Sequence, residues 1–229
     1  MRSEGFEARF SLVECHLLNG DFKEVEKGLL DLMNTPMEDR ALYQLGETHF
    51  FREDFKSALE KFNQVVEKYP KSSIENHALQ RILLITDYEK DEGLRTLARV
   101  ELLRRQGRFD EGINELKGFL NVEGGMSQMA PSAKWNEGLK GNAILLMGDL
   151  YEGMGDFPSS ISSYEGLVER NKESRLAPEA LRRAGEVYWV RLGDRKKALE
   201  NFERVLLDYP HSVQTDLIRM RMEELKEFN

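Results

Sequence analysis

The chain has little of what disulfides, membranes or nucleic acids require. Cys15 is its only cysteine, so no internal disulfide can form. A reducing cytoplasm fits that composition, and so does an envelope protein that needs no bridge. No apolar run approaches the length of a membrane span, which argues against direct membrane insertion. Basic residues are the minority: 33 Lys and Arg against 41 Asp and Glu leave a net charge of −8. Nonspecific binding to nucleic acid or anionic membrane needs a basic footprint, and none is present. There are no convincing strands, and no glycine-rich phosphate loop follows one. Residues 1–5 lack the apolar core of a signal peptide. The chain is therefore either complete as it stands or a piece whose leader lies upstream.

What is present is globular and helical. Hydrophobic residues make up 40% and charged residues 32%, too apolar for a disordered tail. Five short segments share one design: Gly20-Asp21-Phe22, Glu53-Asp54-Phe55, Gly107-Arg108-Phe109, Gly155-Asp156-Phe157 and Gly193-Asp194-Arg195. A permissive residue ends one helix, and Asp is a good N-cap for the next. On either side the apolar residues recur at helical spacing. Leu42, Leu45, Gly46 and His49 precede one turn; Phe55, Ala58, Phe62 and Val65 follow it. Ile144, Met147, Gly148 and Tyr151 repeat the first pattern, as do Leu181, Ala184, Gly185 and Tyr188. Gly46, Gly148, Gly185, Ala58 and Ala198 would let paired helices approach closely.

These residues resemble the tetratricopeptide-repeat family, whose pattern is Leu-x-x-Leu-Gly-x-x-Tyr, a Gly-Asp-Tyr/Phe turn, Ala-x-x-x-Phe and Pro, over about 34 residues. The resemblance implies an all-α fold, a right-handed superhelical solenoid of about twelve antiparallel helices in one domain. Repeats fall near 6–38, 39–72, 93–126, 141–174 and 178–212, the last with one residue inserted before Gly193. An extra helix fits 73–88, opened by a Ser72-x-x-Glu75 capping box. A loop fits 122–134, and a capping helix fits 213–228. Tyr-Pro-x-Ser at 69–72 and 209–212 resembles repeat proteins of the bacterial cell envelope, of the Tol-Pal coordinator and outer-membrane assembly lipoprotein type. That implies a periplasmic or envelope location, with the cytoplasm as alternative.

No catalytic constellation stands out, and no metal or cofactor site is read. His16 and His49 share a repeat position but lack a paired carboxylate motif, so packing between helices outweighs a metal pair. Cys15 is expected to be a small buried hydrophobe. An enzyme using Gly124–Pro131 as a lid would need converging groups that the sequence does not offer.

Function is expected on the groove lined by each repeat's first helix. The ninth position is acidic in all five repeats: Glu14, Glu47, Glu101, Asp149 and Glu186. Either this ladder favours a peptide or protein partner with basic side chains, or it pairs internally, with Arg182 and Arg183 as cations. Arg104, Glu152 and Arg182 lie on the same stripe. Tyr43, Phe50, Phe51 and Trp189 are expected there exposed or half-exposed as anchors, with packing an equal prospect for Phe51. Phe10 and Glu14, or Tyr43 and Glu47, stand where a carboxylate clamp needs Lys and Asn, which argues against that ligand. Two non-catalytic roles remain open, a scaffold that binds a partner in its groove and a homo-oligomeric, self-associating module. Charge reversal at Glu47 and Glu101 is expected to weaken partner capture without unfolding the chain.

Overall fold

The computed structural model describes residues 2–120 and 137–227. The expected loop at 122–134 lies outside the described residues, as does Phe228 of the closing helix. The described residues form helices and turns with no strand, an all-α solenoid of the expected class. They divide into two compact units, Met1–Arg108 and Phe109–Asn229. The boundary falls at the Gly107 turn, inside the stretch 93–126.

The first unit contains α1 (Arg2–Leu18), α2 (Phe22–Leu30), α3 (Glu38–Phe51), α4 (Phe55–Lys68), α5 (Glu75–Tyr88) and α6 (Glu92–Arg105). The second contains α7 (Phe109–Leu120), α8 (Glu137–Met154), α9 (Phe157–Arg170), α10 (Ala177–Glu186), α11 (Arg195–Asp208) and α12 (Thr215–Glu227). A π-helical turn, Val187–Arg191, extends α10. It absorbs the residue inserted before Gly193, as single-turn π-bulges do. Neighbouring helices pack in sequence order, α1 on α2, α3 on α4, α8 on α9 and α10 on α11.

Local chemistry explains the turns. The side chains of Asp21, Asp54, Asp156 and Asp194 each accept a hydrogen bond from the backbone N–H three residues on. Glycine supplies the positive φ before the cap in four turns, at 74° in Gly20, 70° in Gly107, 81° in Gly155 and 66° in Gly193. Glu53 does so at 60° without a glycine's freedom, at a cost of about 1 kcal/mol. Its carboxylate accepts hydrogen bonds from Arg95 and Arg99 of α6, both at 3.0 Å, which offsets that strain. The expected capping box takes a different form. Glu75 accepts from the backbone N–H of Lys71 at 2.6 Å rather than from Ser72, so the helix opens at Glu75. The reason is the positive φ of 76° at Lys71, which turns that N–H towards the glutamate. Glu38 closes the Asn34 turn identically, at 2.8 Å.

Three helix pairs meet where one side chain is missing. A Cβ on Gly148 would lie 2.3 Å from the ring of Tyr164, which is fully buried. Gly46 stands equally close to Phe62, and Gly185 to Phe202. The aromatic ring packs against bare backbone, so a methyl group cannot enter without moving it. Gly148→Ala is expected to destabilise the second unit by about 1–3 kcal/mol, as overpacking does. Thermal unfolding followed by circular dichroism measures it; an unchanged midpoint would show that the rings can yield.

Candidate functional site

The acidic residues of the first-helix stripe are engaged by arginines. In the first unit Arg81 of α5 lies between α3 and α6. Its Nε and Nη2 donate to the two carboxylate oxygens of Glu47 at 2.6 and 3.0 Å, a bidentate pair. Its Nη1 donates to Glu101 at 3.0 Å, and a second bond joins Nη2 to the same carboxylate. The guanidinium lies 4.6 Å over the Phe50 ring. Arg105 extends the chain of charges, 3.5 Å from Glu14 and 3.8 Å from Glu47, and stacks 5.4 Å over Phe51. Carboxylate and guanidinium thus alternate from α1 through α3 and α5 to α6.

The second unit builds its own network. Asp149 of α8 accepts the Tyr164 hydroxyl at 2.7 Å and pairs with Arg183 of α10. Arg183 also donates to Glu179 at 2.7 Å. Glu179 receives Arg182 through two bonds, at 3.0 and 2.7 Å, and Arg182 reaches Glu186 at 2.6 Å. Arg191 holds Glu152 at 3.0 Å. Trp189 is half-buried, with Arg221 of α12 5.9 Å over its ring.

This arrangement corrects several expectations. Phe50 is 0% exposed and Phe51 4%, so neither is an accessible anchor. They pack on each other at a centroid distance of 6.1 Å, Phe50 packs on Phe55 at 5.6 Å, and the arginines cover them. Glu47 is only 4% exposed and already bonded, so reversing its charge would disturb the fold as well as any ligand. Cys15 is exposed. Its counterparts Thr48, Leu150 and Val187 are buried. α1 packs on α2, and its face bearing Ser11, Leu12 and Cys15 is exposed. Tyr43, Glu14, Glu101, Asp149, Glu152, Arg182 and Glu186 are partly accessible, and Arg104 is exposed.

Sequence reasoning missed Arg81, Arg105, Glu179 and Arg221. A signal for two of them existed. Arg81 and Arg221 each stand twelve residues after the tyrosine of a Tyr-Pro-x-Ser motif, at Tyr69 and Tyr209. Outside the stripe, a cleft of ≈ 570 Å³ is lined by Ile161, Ser162, Glu165, Tyr188, Leu192 and Lys197 among others. No group of three His, Cys, Asp or Glu able to hold a metal occurs among the described residues. No helix among them is long and apolar enough to cross a membrane.

Comparison with known proteins adds the family. Residues 40–72 match one tetratricopeptide-repeat model and residues 145–213 another. Both segments are tetratricopeptide repeats. Such repeats are generally non-catalytic protein–protein interaction modules. Among solved structures, this repeat protein is similar to MamA 41-end from Desulfovibrio magneticus RS-1. The two are 16% identical over 91% of this chain and 97% of that one, with a TM-score of 0.42. A MamA RS-1 ArsTM double mutant matches at 16% identity and 0.41, with the same coverage. PilW, described as a widely conserved type IV pilus biogenesis factor, matches at 15% over 93% and 97%, with a TM-score of 0.42. No curated protein matches the chain.

Burial alone would raise the Glu101 carboxyl, but the charge and hydrogen bonds of Arg81 outweigh it and hold it below the usual carboxylate range. Glu179 is lowered against its burial in the same way by Arg182 and Arg183. Burial, then the Glu47 charge, pushes the Tyr43 phenol up to about 12. A lowered carboxylate stabilises the fold fully above its unfolded pKa, about 4.3, and loses that contribution as pH falls through the folded value. Unfolding free energy should therefore fall as pH drops below about 4.3, and the Glu101 share should vanish in Arg81→Leu. At neutral pH, Glu47→Lys should cost about 3–5 kcal/mol, since it faces Arg81 with an unpaired buried charge. Urea titration reads both; a loss under about 0.5 kcal/mol would mark the pair as inert.

Proposed function

We propose that the chain is a non-catalytic scaffold that takes a peptide or partner protein along the first-helix stripe, each unit offering its own stretch. The observation that carries this reading is the fixed spacing of those helices. Arginine–carboxylate pairs tie α3, α5 and α6 together in one unit, and α8 and α10 in the other. A surface fixed before binding loses little conformational freedom on binding, which favours affinity.

The accessible chemistry differs from an acidic ladder. Glu14 of α1 and Glu152 of α8 keep partly open carboxylates, while Arg104 of α6 and Arg191, in the extension of α10, are exposed. Tyr43 and Trp189 supply half-buried aromatic faces. A partner with basic side chains would meet Glu14 and Glu152, and acidic groups would meet the arginines. Mixed charge around an aromatic anchor is the composition of a protein-recognition surface. An envelope location fits the two Tyr-Pro-x-Ser motifs.

The test is capture of native partners by immobilised chain, with Tyr43→Ala and Arg104→Glu compared against the unaltered protein. Both variants should keep their circular dichroism spectra and retain less than about a fifth of the partner, an anchor loss of roughly 1 kcal/mol or more. Undiminished capture by both would place the binding surface elsewhere.

A further inference from the structure

We infer that a second copy of the chain docks its α1 helix on the face formed by α12 and the π-helical turn. The first unit contains the template for this contact. There α5 and α6 complete the α3–α4 pair: Arg81 is held between Glu47 and Glu101, and Arg95 and Arg99 of α6 clasp Glu53 at the turn. The α10–α12 segment repeats the first part of that arrangement. Glu186, Gly193 and Arg221 stand where Glu47, Glu53 and Arg81 do. Ile218 and Leu225 are buried as Ala78 and Ile85 are.

Among the described residues no helix takes the place of α6 on this face. Arg221 shows the consequence. Its Nη1 donates to Glu224 at 2.9 Å, and its Nε stands 3.7 Å from Glu186, beyond a hydrogen bond. That Nε is buried with no hydrogen-bond partner among the described residues. Val190 is 65% exposed and Leu192 47%, both just ahead of Gly193, where the template has a salt-bridged glutamate.

Helix α1 has the matching residues in the matching register. Counting back from the Gly107 and Gly20 turns, Glu14 corresponds to Glu101, Phe10 to Leu97, and Val13 to Val100. Phe10, Leu97, Val13 and Val100 are buried, so the two helices are oriented alike within their own repeats. Where α6 carries Arg95 and Arg99 to meet Glu53, α1 carries Ala8 and Leu12. Leu12 is 58% exposed. Both sides of the contact have thus exchanged charge for apolar surface. Seated as α6 is seated, α1 brings Ala8 and Leu12 to Val190 and Leu192, and Glu14 to Arg221. Glu14 can take a second arginine beside Arg105, as Glu47 takes Arg81 and Arg105 together. The contact is heterologous, one surface of each copy against a different surface of the next.

Sedimentation velocity over a concentration series of the full chain tests this. The unaltered protein should associate with rising concentration, and labelling of Cys15 by maleimide should slow in parallel, since its counterpart Leu102 is half-buried. Leu12→Lys and Leu192→Lys change exposed side chains on the two sides of the contact, and each alone should weaken association at least about tenfold, the scale for burying an unpaired charge. Arg221→Glu should do the same. An equimolar mixture of Leu12→Lys and Leu192→Lys should form a one-to-one complex, because each retains the face the other lost. A chain that stays monomeric throughout, lysine variants that associate like the unaltered protein, or a mixture that forms no complex would each overturn the contact.

Discussion

The structure of the first unit depends on one guanidinium held out of water. Arg81 has both edges against carboxylates and one face on the Phe50 ring, so Glu47, Glu101 and the aromatic floor are all fixed by it. Burial would weaken its charge, yet the two carboxylates keep its pKa well above the ordinary arginine value. A lysine could not substitute, since one ammonium lacks the planar fork that satisfies two carboxylates together. Arg183 holds the corresponding place in the second unit, between Asp149 and Glu179, with its charge reinforced likewise.

This network and the glycine contacts act at different levels. Gly46, Gly148 and Gly185 set how closely the two helices of a pair approach. The ion pairs set how successive first helices lie beside each other. The first is a steric constraint that any repeat of this kind needs for a core. The second fixes a surface, and that is the link from fold to function. It also explains why an acidic ninth position recurs without producing an acidic groove.

Much of the fold was legible because its determinants are local. An aspartate after a permissive residue caps the next helix, and it does so at Asp21, Asp54, Asp156 and Asp194. The inserted residue before Gly193 was visible as a spacing defect and emerges as the π-helical turn. The site was legible in part. The stripe was found, and internal pairing through Arg182 and Arg183 was one of its two readings, but the cation of the first unit was not among them. That cation comes from α5, 34 residues from Glu47, and a side chain that distant leaves no periodic trace near its partner. Phe50 illustrates the same limit: helical spacing placed it on the stripe, and the covering Arg81 removed it from reach. Cys15 differs in the opposite direction: its repeat position is buried in Thr48, Leu150 and Val187 but exposed in α1.

The central claim is that the acidic stripe of the first unit acts within the fold, through Arg81. A double-mutant cycle on Arg81 and Glu101, with Arg81→Leu, Glu101→Gln and the combined variant, isolates that interaction from the rest. A coupling energy of about 1.5 kcal/mol or more is expected in urea unfolding. Additive losses, with coupling near zero, would contradict it and return Glu101 to the solvent as a residue free to bind a ligand.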